Sequence, residues 1–161
     1  MSSWVQSAVK FVKSTPNRSF FLYPLIVLLW EFFVRGGKLG SLVVEPYYLV
    51  LMIWGYGQYR FCGKYRRRIG GGGPGLEKPP ERLVTSGLYG YIRNPMYLGH
   101  IIFLTGLTLT LQSVLAALIT VGTAIWFHFR VLGDERRLIE LFGEPYLEYM
   151  RRVKRWIPGV F

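Results

Sequence analysis

The stretch Gly87–His100, GLYGYIRNPMYLGH, concentrates reactive and hydrogen-bonding side chains. Tyr89, Tyr91 and Tyr97 offer phenols, Arg93 a guanidinium and Asn94 an amide. Asn94 precedes Pro95, which disfavours an α conformation at Asn94 and breaks the backbone just before a long apolar run. Peptide groups around Gly87–Asn94 are thereby free to bind a ligand. A second group follows thirty residues later in FHFRVLGDE, where His128, Arg130, Asp134 and Glu135 are spaced Arg-x-x-x-Asp-Glu. A guanidinium can hold a carboxylate or phosphate in a bidentate pair. Adjacent acids can accept from amino or hydroxyl groups, or take a proton. Singly, each residue also reads as an interface anchor or part of a solvated helix face. A metal site is disfavoured, because His100, His128 and Cys62 lack ligand spacing. With one cysteine, an internal disulfide is impossible.

The elements that must position these groups are apolar. Of 161 residues 51% are hydrophobic, yet the net charge is +11. Apolar spans in lipid with basic residues gathered at one face reconcile the two. Nucleic-acid binding would explain the charge but not the apolar runs, so no nucleic-acid partner is expected. The expected fold is all-α: an integral membrane bundle of about four transmembrane helices. An N-terminal interfacial helix over Trp4–Ser14 precedes it, and C-terminal amphipathic helices cover a cytoplasmic-side pocket. Thr15-Pro16-Asn17 is expected to break the first helix, and no cleavable leader pattern precedes it. The spans are expected at about 20–34, 42–61, 96–111 and 114–129. Glu31 lies near the far end of the first, where it would snorkel or pair locally. Gly106 and Gly122 would allow close helix contact.

Residues 60–82, with seven basic residues, four consecutive glycines and three prolines, read as a flexible loop or a phosphate cradle. No Gly-Lys-Ser/Thr follows, so it is not a nucleotide P-loop. Only Gln112 and Ser113 separate the last two spans, which predicts a tight hairpin. The charged stretch 130–155 is expected as a separate helix or helix pair, interrupted at Gly143 and restarted by Pro145. An even number of spans puts both termini and the 60–82 loop on the basic, cytoplasmic side. Arg82–Tyr97 and Phe127–Glu135 then meet at that face, His100 and His128 come to the same level, and a pocket for a polar ligand forms at the lipid boundary. The chain reads as one domain over 1–161, with 1–80 carrying two spans and the loop and 81–161 the site.

LVTSGLYGYIRNPMYLG together with RVLGDERRLIELFGEPYLEYMRRVKRWIP resembles the isoprenylcysteine carboxyl methyltransferase family, which groups with membrane phospholipid methyltransferases. The shared pattern is Gly-x-Tyr-x-x-x-Arg-His/Asn-Pro-x-Tyr-x-Gly, then Arg-x-x-x-Glu/Asp-Glu, then Phe-Gly-x-x-Tyr-x-x-Tyr, covering about 81–158. The resemblance implies S-adenosylmethionine as methyl donor, S-adenosylhomocysteine as product and an amphiphilic acceptor among membrane lipids. It implies cofactor contacts from Glu81, Arg82, Leu83, Val84, Tyr89, Arg93, Asn94, Pro95, Met96, Tyr97 and Asp134. Arg130 would face the substrate, with Glu135 supporting the acidic pair as the second catalytic residue. Asn94 stands where the family commonly has histidine, and Asp134 where it has glutamate. The short chain points to a prokaryotic inner-membrane member. Phospholipid N-methylation, an NADPH-dependent sterol-reductase-like activity and a non-enzymatic membrane scaffold are the competing readings.

Overall fold

The structure is a computed structural model describing residues 3–73 and 78–159. Every regular element among the described residues is helical, and the one extended pairing is an isolated bridge between Ile92 and Lys154. Two helical stretches among the described residues are long and apolar enough to cross a membrane, Thr15–Val34 and Val114–Phe142; Pro95–Leu111 is apolar but shorter. Only 22% and 17% of the two apolar windows are buried within the chain, so their side chains are not those of a soluble core. The chain divides into two compact units, Met1–Tyr56 with His100–Thr123, and Gly57–Gly99 with Ala124–Phe161.

In the first unit, α1 (Ser3–Lys13) exposes Trp4, Val5, Phe11 and Val12 beside Lys10 and Lys13. The first helix is broken next to Thr15-Pro16-Asn17 as expected, one residue earlier, and that tripeptide then opens the single turn α2 (Thr15–Asn17). The joint is Ser14, held extended at φ −68°, ψ 120°. Pro16 sits in the first turn, where its missing N–H costs nothing. A π-turn, Arg18–Leu22, leads into α3 (Tyr23–Val34). Glu31 is buried and accepts from Arg35 Nε at 2.7 Å, one turn on.

α4 (Leu49–Gly70) follows a 3₁₀ turn at Pro46–Tyr48, so the helix starts later than residue 42. α5 (Pro95–Leu111) and α6 (Val114–Phe142) form the expected hairpin. Gln112 takes φ 45°, and Ser113 Oγ accepts from Ala116 N at 3.2 Å, capping α6. A Cβ on Gly106 would lie 2.8 Å from Met52 N and 2.9 Å from Leu51 Cβ, so glycine is required there. Gly122 differs from expectation: nothing lies within 4 Å of its Cβ position.

Two expectations about the second unit are corrected. Residues 60–70 are helix, not loop, because α4 continues to Gly70. Lys and Arg are good helix formers, and Arg67 and Arg68 in the last turn complement the helix dipole. The break comes only where Gly71 and Gly72 adopt φ of +69° and +73°. A Cβ on Gly72 would lie 2.5 Å from Pro79 O, which fixes glycine at that crossing. Gly70 O accepts from both Glu81 N (2.7 Å) and Arg82 N (3.0 Å), closing the loop. Residues 74–77 of that segment lie outside the described ones. Likewise α6 does not stop at Phe129 but runs unbroken to Phe142, Gly133 being tolerated inside it. Gly143, at φ 60°, then turns the chain into α7 (Glu144–Arg152), with Pro145 in the first turn.

Two apolar clusters hold this unit together. Cys62, Val84 and Tyr89 pack with Tyr65 and Met96. Tyr146, Tyr149 and Val153 pack with Leu83, Leu138, Ile139, Phe142 and Met150. Each fully buried apolar side chain contributes about 1.5–3 kcal/mol.

Candidate functional site

The Gly87–Gly90 segment forms a 3₁₀ turn after the extended residue Ser86. Gly87 has φ +61°, and a Cβ there would press on the Tyr65 ring at 3.2 Å. Tyr65 Oη and Ser86 Oγ are 2.8 Å apart. Asn94 and Pro95 start α5: Leu98 N donates to Asn94 O at 3.1 Å, and Gln58 Nε2 donates to Pro95 O at 2.8 Å. The Asn94 Nδ2 group is buried and has no hydrogen-bond partner among the described residues. A buried amide donor left unpaired costs about 1–3 kcal/mol, which a ligand acceptor would recover.

One turn into α5, Tyr97 joins two helices. Its hydroxyl donates to Asp134 Oδ2 at 2.7 Å and accepts from Arg130 Nε at 3.0 Å. Arg130 and Asp134 are four residues apart on α6, so one helix face presents both to the same phenol. The Tyr97 ring centroid lies 4.7 Å from that of Phe127, and the Arg130 guanidinium carbon is 5.3 Å from the Trp126 centroid. Arg130 is exposed; Tyr97 and Asp134 are half-buried.

Glu135, one position on and about 100° round the helix, has different partners. Its carboxylate accepts from Arg93 Nε at 3.0 Å and, bidentately, from Arg155 Nε (3.1 Å) and Nη2 (2.7 Å). The Glu135 and Arg93 side chains are only 5% and 8% exposed. Arg93 Nη1 also donates to the carbonyls of Met150 (2.9 Å) and Val153 (2.7 Å), and Arg93 N donates to Lys154 O at 2.9 Å. Tyr149 Oη donates to Tyr89 O at 2.6 Å. The segment after α7 is thus strapped to the stretch 89–93. Hydrogen bonding to Glu135 holds the Arg155 guanidinium above its ordinary range. Burial pushes the phenols of Tyr89, Tyr146 and Tyr149 up, keeping them neutral donors at pH 7.

The expected site residues therefore fall into three groups. Tyr97, Arg130 and Asp134 form one hydrogen-bonded chain, with Asn94, Pro95 and Met96 at the start of the helix that carries Tyr97. Arg93 and Glu135 are buried together in the ion cluster. Val84, Tyr89 and Leu83 are packed in the two apolar clusters, while Glu81 and Arg82 are exposed and engage Gly70 through their backbone. His100 belongs to the other unit, where it stacks on Phe20 at 4.5 Å. Gln58 and Arg155 were not singled out in the sequence, and Tyr149 was read only as part of an apolar face and of the Phe-Gly-x-x-Tyr-x-x-Tyr pattern. Arg155 lies in a basic tail that reads as solvated, and only tertiary contact gives it a partner.

A family model for phospholipid methyltransferase matches residues 47–145, more than half of the chain, and the chain belongs to that family. With its long, little-buried apolar helices it is a membrane protein. Among individual relatives, it is 38% identical over 85 residues to methanethiol S-methyltransferase 1 of Bradyrhizobium diazoefficiens, covering 52% of this chain and 29% of that one. It is 33% identical over 78 residues to protein-S-isoprenylcysteine O-methyltransferase of Schizosaccharomyces pombe, covering 47% and 33%. The human protein of that name is 36% identical over 80 residues, covering 48% and 28%. The similarity thus spans about a third of the length of these relatives.

Proposed function

We propose that this chain is a membrane methyltransferase acting on an amphiphilic acceptor, with S-adenosylmethionine as donor and the whole of 1–161 working as one domain. The observation that carries the reading is the Arg130–Tyr97–Asp134 chain beside the unpartnered Asn94 amide, all inside the family match. The residues fit the donor. Asp134 has carboxylate capacity beyond the one bond from Tyr97, suited to an amino group or ribose hydroxyl. Asn94 Nδ2 supplies a buried donor for a heterocycle nitrogen or carboxylate. Pro95, Met96 and Tyr97 offer apolar and ring surface beside it. When bound, the donor supplies an electrophilic methyl group on a sulfonium sulfur.

The chain's own contribution is alignment. Displacement at a methyl group needs the nucleophile in line and water excluded, and positioning can supply several kcal/mol of the barrier, up to about 7–11. Arg130 Nε donates to Tyr97 and its guanidinium lies against Trp126, which fixes the orientation in which it would meet an anionic or polar acceptor. Ile125, Trp126 and Phe129 are exposed beside it and would take the acceptor's apolar portion. Glu135 is better read as a positioning residue than as an acid–base group, because both its oxygens are held by guanidinium groups. Arg93, Val84, Leu83 and Tyr89 would shape the site through packing, with Glu81 and Arg82 at its rim.

In this reading α3 with its preceding turn, α4, α5 and the first part of α6 cross the bilayer. α1 lies in the interface, and the site and both termini face the cytoplasm of a prokaryotic cell. α6, at 29 residues, is about 43 Å long, more than the ~30 Å hydrocarbon core, so its charged end projects beyond it. The decisive test is incubation of purified protein with methyl-labelled S-adenosylmethionine and a total lipid extract. Label in an extractable lipid or amphiphile supports the reading. Absence of transfer, with calorimetric binding of NADPH instead of S-adenosylhomocysteine, would replace it by the reductase reading.

A further inference from the structure

The continuation of α4 to Gly70 has a result that a loop would not produce. Arg60, Lys64, Arg67 and Arg68 are spaced i, i+4, i+7 and i+8 on one helix, which gathers them within an arc of about 100°. All four are exposed. The opposite side of this half of the helix is the packed one, carrying Cys62, Gly70 and the half-buried Tyr59, Gly63 and Arg66. No carboxylate among the described residues pairs with any of the four, and the one side-chain contact among them is Arg67 Nε to its own helix at Gly63 O, 3.3 Å. The same side of the helix, about two turns earlier, carries exposed Ile53 and Trp54, and exposed Phe61 borders the start of the stripe. A helix face that changes from apolar and aromatic to mainly cationic matches the change from acyl chain to headgroup in a bilayer.

We infer that this face of α4 is a binding site for the phosphate groups of anionic lipids. From Arg60 to Arg68 the rise is about 12 Å. One headgroup layer is about 5–7 Å thick. The stripe therefore crosses the layer, and its far end stays within the ~8 Å Debye length at physiological salt, where long side chains reach back. Among the described residues no carboxylate neutralises the four charges, and lipid phosphate supplies a counter-charge for them. The inference rests on α4 entering the bilayer, but not on methyl transfer.

The test uses the full chain in non-ionic detergent, titrated with dioleoylphosphatidylglycerol or dioleoylphosphatidylcholine and read by native mass spectrometry. Phosphatidylglycerol should be retained in preference to phosphatidylcholine, and less so as salt rises. Each basic residue near an anionic surface is worth about fivefold in affinity, so Arg67→Gln/Arg68→Gln should lose about 25-fold for phosphatidylglycerol and little for phosphatidylcholine. Arg60→Gln/Lys64→Gln, at separate positions, should do the same, and either pair decides if the other does not fold by circular dichroism. Undiminished phosphatidylglycerol binding in a folded pair overturns the site. Displacement of the lipid by millimolar inorganic phosphate would make it a soluble-anion site, and displacement by a short oligonucleotide a nucleic-acid surface; either result also overturns it. No donor or acceptor is present, so failure here leaves the methyltransferase reading intact, and the labelling experiment can fail without touching this one.

Discussion

Replacing Glu135 by glutamine would leave two guanidinium groups facing a neutral amide. Removing one member of a buried ion pair costs about 3–5 kcal/mol, because the remaining charge is desolvated without compensation. The lower end applies to Glu135→Gln for two reasons. Arg93, 8% exposed, keeps the Met150 and Val153 carbonyls, and Arg155, 18% exposed, can turn toward water. The expected loss is therefore about 3 kcal/mol, or about 6–12 °C in melting temperature for a chain of this size. The assay is thermal unfolding in detergent followed by tryptophan fluorescence, with hydrogen exchange resolved by peptide. Exchange should rise in two places, the amide of Arg93, bonded to Lys154 O, and the amides of the last turn of α7. Arg155→Gln should show a smaller effect in the same peptides, since it leaves the Arg93–Glu135 pair in place. A melting point within about 2 °C of wild type, with unchanged exchange at both sites, would refute the assignment of Glu135 as the anchor of the C-terminal segment.

Asp134→Ala should weaken S-adenosylhomocysteine binding at least tenfold by calorimetry, the loss of a charged hydrogen-bond acceptor being worth about 1.5–3 kcal/mol; equal affinity would remove Asp134 from the cofactor site. Arg130→Ala should bind S-adenosylhomocysteine as wild type does while losing turnover in the labelling assay; retained turnover would count against Arg130 as the acceptor's partner. Gly106→Ala should destabilise the first unit by about 1–3 kcal/mol, because its Cβ would press on the α4 backbone. Gly122→Ala, whose Cβ meets nothing within 4 Å, should be neutral or slightly stabilising in the same melting experiment. Tyr89, Tyr146 and Tyr149 have folded-state phenol pKa values above their ordinary one. The unfolded chain thus releases these protons first, so stability is intact below about pH 10 and falls as pH rises beyond it. Absorbance near 295 nm should show the three phenols ionising only as the protein unfolds, and early ionisation in the folded state would contradict their burial.

The hairpin was legible in the sequence because two residues between apolar runs leave no other connection. Ser113 and Gln112 supply the cap and the positive φ that it needs. The pairing of the 82–97 stretch with 127–135 followed from that hairpin, and the structure brings Tyr97 to Arg130 and Asp134, and Arg93 to Glu135. The extent of α4 and α6 was not legible. A glycine run looks like a loop signal for its whole neighbourhood, yet glycine acts only at its own φ and ψ, so Lys64–Arg68 stay helical until Gly71 takes a left-handed conformation. At Arg130 the change from apolar to charged composition marks a change of surroundings, not an end of hydrogen bonding, and the helix passes through it. The division of labour between Asp134 and Glu135 was hidden for a related reason. Neighbours in sequence differ by about 100° in direction on a helix, and only the position of Arg155, twenty residues away, shows where the second acid is used.

The bonds from Arg93 to Met150 and Val153, and from Tyr149 to Tyr89, reach beyond residue 145, where the family match stops. A minimal version cut after Pro145 would retain every residue of that match, including Tyr97, Arg130 and Asp134. It would also strand the Arg93 guanidinium inside the protein without the Met150 and Val153 carbonyls, leaving Glu135 as its acceptor. Any shortened or chimeric form built from this scaffold therefore has to carry its own residues beyond 145, or an equivalent clasp, before loss of activity in it can be blamed on the motif.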